Sequence, residues 1–93
     1  MPAPWYPKGD LRRMLAVLAA IDALGDEATL VRIAERSAID KKTVTVLIRQ
    51  AVEQAGVDIS KEGSVYRLLA WGPVFKKEGA RMALTGVLNA PRI

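Results

Sequence analysis

The stretch from Leu30 to Arg49 limits the fold of this chain more than any other part of the sequence. It reads LVRIAERSAIDKKTVTVLIR, and apolar residues recur at helical spacing on both sides of a break near Ala38. Ala34 is small enough for two helices to cross closely at its position. Ile33 lies inside the first helix, and apolar side chains flank the crossing: Ile39, Val44 and Leu47. The stretch therefore predicts two helices joined by a tight turn, which is the helix-turn-helix motif.

Ala38 occupies the turn position at which Gly is most common. The backbone there often adopts a positive φ, and an L side chain raises the free energy of that conformation. We therefore expect the turn to form at Ala38, but at a higher free energy than Gly would give it.

The segment before this motif predicts a helix with a wide apolar surface. Asp10 is a suitable N-cap and Gly25 a suitable stop, so the helix runs over residues 11–24. One apolar stripe lies at helical spacing: Leu11, Met14, Leu15, Leu18 and Ile21. A second strip lies beside it: Val17, Ala20 and Leu24. A helix with so much apolar surface should be covered on more than one side.

Thr29 and Asp40 mark the starts of the two helices within the motif. The first should run over about residues 30–37, and the second should continue from residue 41 to near Gly56. The inward stripe of the second helix is Val44, Leu47, Ile48, Ala51 and Val52. Its outer faces carry Lys41, Lys42, Thr43, Thr45, Val46, Arg49 and Gln50.

After Gly56 the apolar pattern changes from helical spacing to alternation. Residues 57–60 and 65–69 predict two strands around a Gly-containing turn at residues 61–64. A hairpin directly after the second motif helix is the wing of a winged helix. We therefore expect a mainly α fold with a small β-hairpin, built as a winged helix-turn-helix: a three-helix core, a two-stranded wing and a C-terminal helix.

The chain divides into an N-terminal arm (1–9), a winged helix-turn-helix domain (10–72) and a helical tail (73–93). The arm carries three prolines, which forbid a helix. Its Trp5 or Tyr6 either folds back over an apolar edge or belongs to an arm that reaches DNA. The tail predicts a helix from Phe75 to Asn89, with one apolar face: Ala80, Ala83, Leu84, Val87 and Leu88.

This tail helix and the spare face of helix 1 offer a surface for a homodimer. The alternative is that the tail helix packs on helix 1 of its own chain and completes the core. Trp71 and Phe75 fit either arrangement.

The segment from Leu15 to Leu69 resembles the N-terminal DNA-binding domain of IclR-type regulators and, more loosely, MarR-type winged helices. Four stretches carry the resemblance: LAVLAAI, ATLVRIAERSAI, DKKTVTVLI and VYRLL. IclR-type helices often read Lys-Ser-Thr-Val-x-Arg-Leu-Leu, and this chain has Val46 in place of that Arg. It matches the pattern at Lys41, Thr43, Val44, Leu47 and Ile48. The resemblance implies a DNA-binding transcriptional regulator. The ligand-binding domain that follows in full-length IclR-type proteins is absent from this sequence, so we expect no small-molecule ligand.

Composition excludes several kinds of function. The chain has no Cys and no His, which rules out disulfides, thiolate metal sites and His-based catalysis. No nucleophile–base spacing or phosphate loop stands out, so we expect no enzyme, no cofactor and no metal.

The longest apolar run covers residues 14–21 and is shorter than the ~20 residues of a membrane span. Without a signal-peptide pattern, we expect a cytoplasmic protein. The net charge of +4 favours an anionic partner.

The outer face of the third helix predicts contact with the major groove of double-stranded DNA. A helix of this length spans about 22 Å. Lys42, Thr45 and Arg49 suit base edges, whereas Lys41 and Thr43 suit phosphates. With the second half of the helix and the wing included, the predicted DNA-binding residues are Lys41, Lys42, Thr43, Thr45, Arg49, Gln50, Lys61 and Arg67. The two wing residues are interpreted equally well as solvated side chains.

Two functions remain open at this stage. The first is a sequence-specific DNA-binding regulator, such as a small phage, plasmid or bacterial repressor. It predicts a contiguous positive face around Lys41, Lys42 and Arg49. The second is a winged-helix protein–protein interaction module without DNA binding, which the mixed charge of Lys61 and Glu62 in the wing favours. That module predicts an exposed apolar patch instead.

Overall fold

A computed structural model describes residues 6–7 and 9–85 of the 93-residue chain. The elements in chain order are α1 (Leu11–Leu24), a 3₁₀ turn (Gly25–Glu27), α2 (Leu30–Ser37), α3 (Lys41–Ala55), β1 (Asp58–Glu62), β2 (Val65–Ala70) and α4 (Lys77–Thr85). The two strands form one antiparallel hairpin. The described part of the chain is therefore mainly helical with a small β-hairpin, as the sequence predicts.

Each of the first three helices begins at the N-cap that the sequence predicts. The Asp10 carboxylate accepts a hydrogen bond from the Arg12 backbone N–H at 2.8 Å. The Thr29 hydroxyl accepts from the Arg32 N–H at 3.3 Å. Asp40 caps α3 in the same way. Because a free N–H at a helix start requires an acceptor, these caps fix where the helices begin.

The core forms around α1, which contacts α2, α3, α4 and β2. Residues 16–21 of α1 are all buried, which confirms that this helix is covered on more than one side. The largest fully buried apolar side chains come from three helices and the segment before β1: Leu18, Ile21, Ile33, Val17, Val44 and Val57. Leu11 is an exception to the predicted stripe, because its side chain in the first turn is 60% exposed.

The buried face of α3 differs from the predicted stripe at one position. Val52 is 42% exposed, whereas Ala55 is buried. The buried residues follow the spacing i, i+4, i+7, i+11 and are Val44, Ile48, Ala51 and Ala55. Leu47 is half-buried and packs against the core, as predicted. Val52 lies about 100° around the helix from Ala51 and about 40° from Ile48, at the edge of the buried stripe.

The hairpin is longer than predicted, and its turn is shorter. Glu62 pairs with Val65, so the turn contains only Gly63 and Ser64. The Tyr66 backbone N–H donates to the Ala28 carbonyl at 2.9 Å. This hydrogen bond holds the hairpin against the segment that leads into α2.

Tyr6 belongs to the core, although it precedes α1. Its side chain is 3% exposed, and its hydroxyl donates a hydrogen bond to the Ala83 carbonyl of α4. The Arg12 guanidinium carbon lies 4.6 Å from the centre of its ring, and burial raises the pKa of the phenol. Tyr6 therefore folds back over an apolar edge, which was one of the two interpretations of the arm. Trp5, the other aromatic residue of the arm, lies outside the described residues.

The tail helix packs on α1 of its own chain. α4 begins at Lys77 rather than Phe75, and it buries Ala80, Ala83 and Leu84, as the sequence predicts. The predicted inward residues Val87 and Leu88 and the predicted end of the helix at Asn89 lie outside the described residues. The apolar face of α4 is thus used within the chain, and the homodimer stays a prediction.

Candidate nucleic-acid interface

The outer side of α3 presents three cations near the start and middle of the helix. Lys41, Lys42 and Arg49 are all exposed, and none forms an ion pair within residues 6–7 and 9–85. The first turn of α3 also adds the partial positive charge of a helix N-terminus. Glu53, one turn beyond Arg49, limits this positive surface to the first two-thirds of the helix.

Asp40 and Thr43 form the cap of α3. The Thr43 backbone N–H and hydroxyl both donate to the Asp40 carboxylate, at 3.0 and 2.7 Å. These hydrogen bonds from Thr43 lower the pKa of Asp40, so its carboxylate is ionised at neutral pH. Thr43 is half-buried and its hydroxyl proton is engaged in the cap. Thr43, which the sequence predicts to bind phosphate, therefore takes part in the N-terminal cap of α3.

Thr45 is exposed on the same outer surface, but its hydroxyl bonds to its own helix. The hydroxyl donates to the Lys41 carbonyl at 3.0 Å, which is one turn earlier in α3. The hydroxyl oxygen can still accept a hydrogen bond, and the methyl group of Thr45 takes no part in the bond to the helix. This local hydrogen bond could have been predicted from the sequence, because the hydroxyl of a helical Thr at position i commonly donates to the backbone carbonyl at i−4.

Gln50 lies on a different side of α3 from the cations. It is half-buried and lines a groove of about 400 Å³ between the start of α1 and α3. Val46 and Leu47 line the same groove together with Leu11 and Met14 of α1. Gln50 thus faces the α1 side, whereas Lys42 and Arg49 face outward.

Of the two predicted cations of the hairpin, Arg67 is paired with carboxylates, whereas Lys61 forms no ion pair in the described part of the chain. The Arg67 guanidinium lies 2.9 Å from a carboxylate oxygen of Asp26 and 3.7 Å from one of Glu62. The Lys61 ammonium lies 5.4 Å from the centre of the Tyr66 ring. Arg67 therefore carries little unbalanced positive charge. The sequence suggested the partner Glu62 through the mixed charge of the hairpin, but it gave no signal for Asp26, which lies 41 residues away.

Other arginines and lysines also have acidic neighbours. Arg12 pairs with Asp10 at 2.6 Å, and this hydrogen-bonded pair lowers the pKa of Asp10 to about 2. Lys77 of α4 lies 3.7 Å from Asp22 of α1. The exposed cations of α3 differ from these pairs, because they stand together on one helix without an acidic partner in the described part of the chain.

Within the residues that the structure describes, no cluster of three or more Asp or Glu side chains could hold a metal ion. The same residues contain no helix that is long and apolar enough to cross a membrane. The outer side of α3 is the surface on which three exposed cations of one helix stand without an ion pair in the described residues.

Comparison with known proteins returned no match for this chain among family models, curated proteins or solved structures.

Proposed function

We propose that this protein is a winged helix-turn-helix regulator of transcription that binds double-stranded DNA and inserts α3 into the major groove. In this proposal α2, the turn at Ala38 and α3 form the helix-turn-helix, and the β1–β2 hairpin forms the wing. The observation that carries the proposal is the surface of α3, where Lys41, Lys42 and Arg49 are exposed without ion pairs in the described residues.

The placement of these cations supports DNA rather than stabilisation of the helix. Lys41 and Lys42 stand at the N-terminus of α3, where positive side chains oppose the helix dipole. Arg49 lies two turns later, so the three charges extend along about 12 Å of the helix axis. Phosphates of a DNA backbone and guanine edges in the major groove are both ligands for such side chains.

The experiment that tests the proposal is an NMR titration of backbone amides with a random-sequence DNA duplex at about 50 mM and about 200 mM salt, over which electrostatic binding to DNA falls steeply. We expect shifts concentrated in residues 41–50 at low salt, and much weaker binding at the higher salt. The absence of shifts at low salt would contradict DNA binding.

A pair of charge-matched variants sharpens this experiment. The double variant Lys42→Gln/Arg49→Gln should lose most of the amide shifts. The control Arg36→Gln/Arg81→Gln removes the same number of charges from exposed positions of α2 and α4 and should keep them. Equal losses in the two double variants would mean that binding follows net charge alone.

A protein–protein interaction module is the second candidate. The observation that favours it is the end of the hairpin, where Leu69 and Val74 are 59% and 60% exposed. The paired charges of Arg67 also make the hairpin less attractive to DNA. A module of this kind would give no amide shifts with DNA in the titration.

A further inference from the structure

The middle of α3 carries two adjacent β-branched residues between its cations. Thr45 is exposed and Val46 is half-buried. Both residue types are poorer helix formers than Ala or Lys, so helix propensity does not account for them on an outer surface. Val46 contributes partly to the groove beside α1, whereas the exposed Thr45 side chain has no role in the core.

The hydrogen bond of Thr45 restricts what its side chain can offer to a base. Its hydroxyl proton is donated to the Lys41 carbonyl at 3.0 Å. Thr45 therefore has no proton for guanine O6 or N7, adenine N7 or thymine O4 unless this bond breaks. It retains a methyl group for apolar contact and an oxygen that can accept a hydrogen bond.

Val46 further limits which base features this surface can contact, because its side chain is wholly apolar. In the major groove, the only apolar feature that a base edge presents is the C5-methyl group of thymine. Lys42 lies one turn before these residues and Arg49 one turn after them. Val46 lies about 40° around the helix from both Lys42 and Gln50, so it borders the cations on one side and the groove beside α1 on the other.

We infer that Thr45 and Val46 select thymine in the DNA site, by contact of their methyl groups with the C5-methyl of the base. This inference rests on the proposed function. Lys42 and Arg49 then hold the flanking phosphates or guanine edges, and the apolar pair discriminates between bases in the centre of the contact.

The inference is tested on duplexes selected from a random-sequence library with the 93-residue chain. Each thymidine of a selected duplex is replaced in turn by deoxyuridine, which lacks only the C5-methyl group. We expect at least one replacement to weaken binding about fourfold, which is the effect of removing one buried methyl group from a contact. Replacements outside the contacted positions should have no effect.

Two variants at one position identify the side chain that is responsible. Thr45→Ser keeps the hydroxyl but lacks the methyl group, so its binding should respond less to deoxyuridine than that of the natural chain. Thr45→Val keeps a methyl group at the same position and should respond as the natural chain does. Because Thr45 is exposed, both substitutions should leave α3 intact, and circular dichroism of the two variants checks this.

The outcomes separate the two proposals. Selection of duplexes that bind, with no loss at any deoxyuridine, would overturn thymine selection and leave DNA binding standing. An equal response of Thr45→Ser and the natural chain at every position would also overturn the assignment to Thr45. If no duplex is enriched and none binds at low salt, the proposed function fails, and the inference fails with it.

Discussion

At the scale of single residues, Ala38 holds the turn between α2 and α3 in the left-handed region, with φ 59° and ψ 37°. It is the only residue other than Gly with a positive φ among those that the structure describes. Its N–H and that of Ile39 both donate to the Ala34 carbonyl, which closes the end of α2. The expectation of a positive φ at this position is confirmed.

Ala38→Gly should stabilise the protein by about 0.5–1 kcal/mol, because relief of the Cβ strain exceeds the larger backbone entropy that Gly loses on folding. The measurement is the midpoint of urea unfolding at an unchanged m-value. Ala23→Gly is the control, since Ala23 is exposed near the end of α1 with a helical backbone. That variant should be destabilised, and a fall in the midpoint for both variants would contradict strain at Ala38.

Residue-scale features were predictable from the sequence where their causes are local. The caps of α1, α2 and α3 depend on a side chain and an N–H two or three residues apart, so the residue type alone indicates them. The ion pair of Arg67 with Asp26 depends on how the hairpin lies against the 3₁₀ turn, which no local pattern encodes. The predicted DNA-binding residues on α3 were identified by helical spacing, but their hydrogen bonds required the structure.

At the scale of elements, α4 is joined to the start of the chain by the Tyr6 hydroxyl, which donates to the Ala83 carbonyl. Tyr6→Phe should remove about 1 kcal/mol of stability, because the buried carbonyl loses this donor while the ring still fills its site. If the loss is confined to α4, its amides will exchange with solvent faster while those of α3 keep their protection. Hydrogen exchange followed by NMR measures both effects.

Tyr66→Phe is the matched control for this prediction. Tyr66 is half-buried in β2, and its hydroxyl forms no hydrogen bond among the described residues. Its removal should leave exchange in α4 unchanged. Equal protection of α4 in the natural chain and in Tyr6→Phe would mean that the hydroxyl contributes nothing to docking of the helix. The hydrogen bond between Tyr6 and Ala83 could not be predicted from the sequence, because the two residues lie 77 positions apart.

At the scale of the whole molecule, the net charge of +4 does not distinguish cations that are paired with carboxylates from cations that are available to a partner. Arg12, Arg67 and Lys77 have carboxylates within 4 Å, whereas the cations of α3 have none in the described part of the chain. The sequence predicts five cations that could face DNA: Lys41, Lys42, Arg49, Lys61 and Arg67. Of these, Arg67 is paired with carboxylates, whereas the other four form no ion pair in the described part of the chain, and three of those four stand together on α3.

If the three cations of α3 all neutralise phosphates, the salt dependence of DNA binding should have a slope of about −3 for log K against log salt concentration. Lys41→Gln should make this slope shallower by about 1, because Lys41 is the cation that is assigned to a phosphate. Arg81→Gln on α4 is the control, and its slope should equal that of the natural chain. Fluorescence anisotropy of a labelled duplex measures all three slopes. A slope near −5 for the natural chain would instead mean that cations outside α3, including those of the hairpin, also reach the DNA backbone.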